Sequence, residues 1–267
     1  MLTLYDLHIT PSREALAELP EGKLLINTIN AHSYNVAQKD ALFAEALAKG
    51  DVLIPDGASI VHACQWLKTP SQPTERIAGY DLFEYEMSAL ERKAQAESQA
   101  QEKGGVNVQV NPRIVSFMGS SNQVLERITK RAATDYPHLE IKTYSPPYKA
   151  EFSQEDDTAI IHAINAAKPD LLWIGMTAPK QEKWAYSHWD ELDIHCHVGT
   201  IGAVFDFYAG TARRAPLWWQ QHSLEWLYRL LKEPRRMWRR YIIGNVLFIR
   251  NILREKSAVS RQQSAIG

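Results

Sequence analysis

Apolar positions fall in short runs separated by longer segments of helical spacing. Leu24 to Ile26 form the first run, Asn27 to Asn30 give it a polar exit, and apolar residues then recur at helical spacing from Ala31 to Ala48, ending at Gly50. DVLIPDG supplies a second short buried strand that leaves through Pro55, Asp56 and Gly57, and Ala58 to Leu67 return to helical spacing. The pattern repeats downstream. RIVSFMG (113–119) predicts a strand running into a helix near Ser121, DLLWIG (170–175) one before a helix in PKQEKWAYSHW, and His195 to Val198 a last strand leaving through GTIGAVFDFYAG. Strands alternating with helices predict an α/β fold, a Rossmann-like parallel sheet flanked by helices.

Two stretches break the alternation. Residues 91–112, ERKAQAESQAQEKGGVNVQVNP, are polar and end in a Gly-Gly pair, which predicts a helix end and a flexible excursion with no chemistry of its own. After Thr211 the spacing is purely helical: one helix is expected over 216–232, and a second starts at Pro234 and runs to about Arg254. The expected organisation is an α/β core over 1–212, a C-terminal helical appendage over 213–256 and a disordered end over 257–267.

Charge separates the appendage from the core. Residues 1–212 carry 18 basic and 28 acidic side chains, whereas 213–267 carry 12 basic and 3 acidic ones, so a net charge of −1 conceals a basic tail on an acidic body. Such a tail implies an anionic partner, which could be nucleic acid, lipid headgroups or a phosphorylated substrate. Within it, LEWLYRLLKEPRRMWRR (224–240) interleaves Trp226, Tyr228 and Trp238 with six basic residues. Cys64 and Cys196 are the two cysteines and neither is spaced for a metal site. The N-terminus shows no secretory signal, and Tyr241 to Ile249, interrupted by Gly244 and Asn245, falls short of the roughly 18 residues a membrane span needs. A cytoplasmic protein, at most lying on a membrane, is the expectation.

Ligands of open parallel sheets bind beyond the carboxyl ends of the strands. Thr28 and Asn30, Asp56, Gly119 to Asn122, Thr177 to Gln181 and Gly199 to Gly202 fall there. GSSN (119–122) at a helix start suits a diphosphate, and equally an ordinary Ser cap; GTIG (199–202) is equally ambiguous. Neither matches the dinucleotide or P-loop glycine patterns, which weighs against an NAD-dependent oxidoreductase. Asp56 after its apolar strand is the acid best placed as a base. Asp206 competes, although it could cap a helix or hold Arg213 or Arg214, and Glu75 beside Arg76 reads as a turn ion pair. His195 and His197 alternate on a strand but lack a third metal ligand, and read as hydrogen-bonded histidines. No Asp-x-Asp triplet occurs. A departing diphosphate would therefore be neutralised by Arg, Lys or helix N-termini, with no metal and no cofactor expected.

Six blocks in order now resemble one family: TIN (28–30), PDG (55–57), ERIAGYD (75–81), GMTAPKQEKW (175–184), VGTIGAVFDFYAGTARRAP (198–216) and LEWLYRLLKEPRRMWRR. The chain resembles the bacterial WecG/TagA/CpsF glycosyltransferases. The resemblance implies an inverting hexosyltransferase that moves an N-acetylmannosamine-type sugar, or its uronic acid, from a UDP donor to a polyprenyl-diphosphate-linked acceptor in cell-envelope polysaccharide synthesis. It assigns Asp56 as base, with Thr28, Asn30 and Arg76 beside it in the catalytic set. Gly119, Ser120, Gln181 and Gly199 are read as substrate-binding, and Arg229, Arg236 and Arg239 match arginines of the appendage.

The chain departs from the family in the polar stretch near 91–112 and in the length of its basic tail, and because family members differ in sugar the resemblance leaves the donor open. Transfer of another hexose in exopolysaccharide or capsule synthesis is the alternative, and a nucleic-acid-binding module the non-enzymatic one, although the body shows no recognised nucleic-acid motif. The tail's aromatic and basic side chains suit an anionic membrane surface, with Arg235 and Arg240 expected to face lipid. That implies a peripheral enzyme on the inner face of the bacterial plasma membrane, possible as a homo-oligomer, with no nucleic acid.

Overall fold

The structure, a computed structural model, describes residues 2–104, 112–222 and 224–266. A 3₁₀ turn (Glu14–Glu18) precedes β1 (Leu24–Ile29), α1 (Ala31–Ala37), α2 (Ala41–Lys49), β2 (Val52–Pro55) and α3 (Ala58–Leu67). The helix expected over 31–48 is thus two, because Asp40 takes extended backbone and its carboxylate accepts from Phe43 N at 3.0 Å, starting a new helix. Strand β1 also runs three residues past the apolar run: Asn27 is fully buried, and its Oδ1 accepts from Thr200 Oγ1 at 2.7 Å.

Next come α4 (Gly79–Gly104), β3 (Arg113–Gly119), α5 (Asn122–Asp135), β4 (Leu139–Tyr144), α6 (Gln154–Ala167), β5 (Leu171–Gly175), α7 (Lys180–Ser187), β6 (His197–Thr200) and α8 (Val204–Tyr208). The first part of the polar 91–112 stretch continues α4, while residues 105–111 lie outside the described residues. The six strands form a single parallel sheet in the order β2-β1-β6-β5-β3-β4. All five residues of β5 are buried, as expected of a strand covered on both faces. Edge strand β4 was not foreseen: its charged residues Glu140 and Lys142 dilute the apolar signal.

After Arg214 follow α9 (Leu217–Gln221), α10 (Glu225–Lys232), α11 (Pro234–Trp238), a π turn (Arg239–Ile243) and α12 (Gly244–Ile266). The single helix expected over 216–232 is broken, since His222 turns its ring Nδ1 back to Trp218 O at 2.8 Å and Leu224 N reaches Trp219 O. The segment 257–266, expected as a disordered end, continues α12. Its Ala, Arg and Gln are good helix formers, with no Gly or Pro before Gly267. Among the described residues no helix is long and apolar enough to cross a membrane.

The chain divides into two compact units. The first comprises Met1–Glu18, Thr28–Ala78 and Arg214–Gly267; the second comprises Leu19–Asn27 and Gly79–Arg213. In the first, Leu4, Ile29, Tyr34, Phe43, Leu53 and Ile60 form a core that also takes Phe248 and Ile252 from α12. Each of those two side chains contributes roughly 1.5–3 kcal/mol on burial. Glu255, one turn further on, is buried and accepts from Tyr34 Oη at 2.7 Å and from Tyr5 N at 2.8 Å, so α12 is built into this core from the chain's other end. The second unit has its own core, with Leu25, Met118, Ile160, Leu172, Ile174 and Trp184 among its members.

Candidate active site

Parallel pairing puts the ends of β1 and β2 side by side in the first unit. Asp56 N donates to Ile29 O at 2.8 Å, which fixes the residue after β2 beside the exit of β1. Ile77 N donates to Pro55 O at 3.0 Å and so pins the ERI block to the PDG block. Thr28, half-buried, is the penultimate residue of β1. Asn30 is the N-cap of α1: its Oδ1 accepts from His32 N and Ser33 N, both at 3.0 Å, and Ser33 Oγ accepts from Asn30 N in return. Part of the polarity of TIN therefore serves the helix start.

Asp56 sits among four charged side chains of its own unit. Burial pushes its carboxyl up to about 6, against the pull of Arg76 and Arg229; Glu225 adds to the rise, and Arg240 opposes it. Arg76 is held in place by Glu225, whose Oε2 accepts from Arg76 Nη1 and whose Oε1 accepts from Arg214 Nε at 3.3 Å. These three side chains are 13–18% exposed, so the pairs are shielded from water. Glu75, the neighbour of Arg76, takes a different partner: it accepts from Arg13 N at 2.9 Å and lies 3.5 Å from the Arg13 guanidinium.

The tail arginines divide differently from the expectation. Arg229 and Arg240 both act on the Asp56 carboxyl. Arg239 is exposed and lies 5.4 Å over the Trp238 ring. Arg236 is in α11, and its side chain lies outside the described ones. Arg240, expected to face lipid, has a buried Nε, whereas its neighbour Arg239 is exposed. Glu225, Arg214, Arg240 and His32 are members of the cluster that the sequence reading did not place there. The signal for Glu225 was an acid one helical turn before Arg229, one of two acids in a stretch dominated by bases.

In the second unit, Gly119 has φ +121°, and a Cβ there would lie 2.4 Å from Gly175 O, so the close approach of β3 and β5 requires glycine. Ser120, at φ 57°, accepts from Ser145 Oγ at 2.8 Å through its carbonyl, and Ser121 Oγ caps α5 by accepting from Val124 N at 3.4 Å. Gln181 is buried. Its Oε1 accepts from Met176 N and Gly202 N, both at 3.1 Å, joining the loop after β5 to the loop after β6, and its Nε2 donates to Glu182 Oε1 at 2.9 Å. Gly199 lies inside the sheet, where a Cβ would be 2.2 Å from the Trp173 ring. These placements give Gln181 and Gly199 structural work in the loops and the core.

Asp206 accepts from Thr211 Oγ1 at 3.0 Å, a turn-closing contact. His197 bonds Glu86 at 3.0 Å and Pro20 O at 3.0 Å, and the Glu86 carboxylate raises its pKa; His195 is exposed. Among the described residues no three His, Cys, Asp or Glu side chains group to hold a metal.

A parallel α/β sheet with an acid at a strand end set among arginines is an arrangement suited to a phosphorylated substrate. The chain belongs to the glycosyl transferase WecG/TagA/CpsF family, which it matches over residues 5–262. It is similar to the N-acetylglucosaminyldiphosphoundecaprenol N-acetyl-beta-D-mannosaminyltransferase of Bacillus spizizenii, at 30% identity over 206 residues covering 77% of this chain and 70% of that one. Proteins of the same description from Bacillus subtilis and Staphylococcus aureus are 26% and 25% identical over 218 residues, covering 82% of this chain and 75% and 76% of theirs.

Proposed function

We propose that the protein transfers an N-acetylmannosamine-type sugar, or its uronic acid, from a UDP donor to a polyprenyl-diphosphate-linked acceptor. The observation that carries this reading is Asp56, a carboxyl raised to about 6 and surrounded by Arg76, Arg229 and Arg240. An inverting transfer needs one base and one cationic site. Asp56 takes the proton of the acceptor hydroxyl, that oxygen bonds to the anomeric carbon, and the bond to UDP breaks with its electrons on the diphosphate. The arginines neutralise the charge that departs. A base with a pKa near 6 is ionised at neutral pH, yet is basic enough to accept a proton in the transition state.

The relatives' names describe transfer to a lipid-diphosphate sugar, which supports the acceptor class, and the chain's own tail supports a membrane surface. Ile242, Val246, Ile249 and Leu253 are 50–64% exposed, and Arg250 and Arg254 lie on the same surface. Apolar area with interspersed arginines suits the headgroup zone of an anionic leaflet.

The test is a panel of UDP-sugars and polyprenyl-diphosphate-linked acceptors, with and without EDTA. Transfer from a UDP-N-acetylmannosamine-type donor that survives EDTA is expected; transfer from no UDP-sugar would end the proposal. Flotation with anionic vesicles tests the membrane part. Because Phe248 and Ile252 belong to the core, the informative variant is Val246→Glu with Ile249→Glu rather than a truncation.

A further inference from the structure

Helix α7 opens without a side-chain cap: Pro179 stands at its N-cap, and Lys180, Gln181 and Glu182 follow. Gln181 and Glu182 are both buried in the second unit, where apolar side chains would avoid the cost of desolvation. Their hydrogen bonds show what the polarity is for.

The Gln181 amide has one possible sense. Met176 N and Gly202 N each lie 3.1 Å from the same atom, and two donors are met only by the carbonyl oxygen. The Nε2 end then needs an acceptor inside the unit, and Glu182 Oε1 supplies one at 2.9 Å. Without that acceptor the buried Nε2–H would be left unsatisfied or the amide would turn, and either change loosens the two bonds on Oε1.

The loops joined through this amide have little slack. They follow the paired strands β5 and β6, and Ile201 N donates to Ile174 O at 3.1 Å. Gly202 sits at φ +48°, where a Cβ would lie 3.3 Å from Met176 O and 3.5 Å from Gln181 Oε1. Both loops leave the carboxyl ends of parallel strands, the end at which open α/β sheets bind ligands.

The other Glu182 oxygen, Oε2, is buried and has no partner among the described residues. A carboxyl kept for its volume alone could be exchanged for an apolar side chain of the same length without loss. An acceptor for Gln181 could not. Ionised, or protonated on Oε2, the group keeps a lone pair on Oε1 for Gln181.

We propose that Glu182 is a positioning residue: its Oε1 fixes the sense of the Gln181 amide and thereby holds the loops after β5 and β6 in the form that takes the nucleotide of the donor. The nucleotide rests on the function proposed above; the hold of Glu182 on the two loops does not.

Hydrogen exchange at the Met176 and Gly202 amides and calorimetry with UDP, both on the full chain, test it. Glu182→Met removes the acceptor at nearly constant length. Exchange at both amides is expected to quicken about tenfold or more, and UDP to bind about tenfold more weakly. The same variant should melt at or above the wild-type temperature at pH 8, because a buried acid is gone, so lost affinity would not reflect general destabilisation. Glu182→Gln presents its own Oε1 to Gln181 and should restore both readings, a rescue that a packing role would not produce. Glu182→Leu repeats the test if the Met variant does not fold. Wild-type exchange at Met176 and Gly202 in a folded Met or Leu variant would overturn the proposal. Equal losses in the Met and Gln variants would overturn it too, by tracing the effect to the charge. Quickened exchange with undiminished UDP affinity would remove the loops from nucleotide binding. A wild type that binds no UDP and transfers no sugar would end the proposed function, and the exchange rates would still decide whether Glu182 holds Gln181.

Discussion

Arg76 and Glu225 lie 149 residues apart in the chain and meet side chain to side chain, Arg76 Nη1 donating to Glu225 Oε2. The other Glu225 oxygen takes Arg214. One carboxylate thus orients two arginines and ties α10 to the ERI block. Removing it leaves two shielded cations uncompensated, a change that costs about 3–5 kcal/mol for fully buried pairs and somewhat less here. Glu225→Ala is expected to lower the melting temperature clearly and to cut kcat more than tenfold. Unchanged thermal unfolding would show that the pair contributes nothing to the fold.

Asp56→Asn should abolish transfer without destabilising the protein. The carboxyl rises from 3.8 to about 6 on folding, so its contribution favours the native state at low pH and is lost as pH rises through 6. Asn carries no such penalty, and the variant is expected to melt at or above the wild-type temperature at pH 8. In the wild type, kcat/KM should fall below about pH 6 as the base protonates. A rate for Asp56→Asn close to wild type would remove the residue from the mechanism.

Glu182 makes the same argument in the second unit, on a group with no assigned chemistry. It is 1% exposed, its Oε2 has no partner among the described residues, and burial pushes it up to about 7. Its native-state proton stabilises the fold below pH 4.5, and that contribution is lost as pH rises through 7, on the order of 3 kcal/mol at most. Melting curves of Glu182→Gln from pH 5 to 8 should therefore be flatter than those of the wild type. Parallel curves would place the carboxyl in a wetter environment than this one.

Gly199→Ala puts a methyl group into the Trp173 ring, 2.2 Å from its nearest atom. Overpacking of this kind costs about 1–3 kcal/mol. The expected result is a lower denaturant midpoint with an unchanged slope. If stability held while UDP affinity fell, Gly199 would be a ligand contact and not a packing constraint.

The sheet was legible because most of its strands are short apolar runs followed by turn residues, as in DVLIPDG and DLLWIG. Asp56 was legible for the same reason: an acid directly after such a run has few places to go. What the sequence concealed were partnerships made across the chain. Nothing local to Arg240 distinguishes it from Arg239, yet Arg239 is exposed while the Arg240 Nε is buried. Glu225 was hidden among bases because its partners come from positions 76 and 214. Gln181 could be picked out by its motif, but its bonds to Met176 and Gly202 depend on two strands lying side by side.

The division of the chain into units also bears on how the enzyme is made. The second unit is complete at Arg213, while the surroundings of Asp56 wait for Arg214, Glu225, Arg229 and Arg240. On a ribosome adding about 5–20 residues per second, Asp56 and Arg76 emerge well before Arg214, Arg229 and Arg240. A chain released early would carry Asp56 with Arg76 but without the three later arginines. Competence arrives with the last helices, so unfinished molecules would not squander activated sugar.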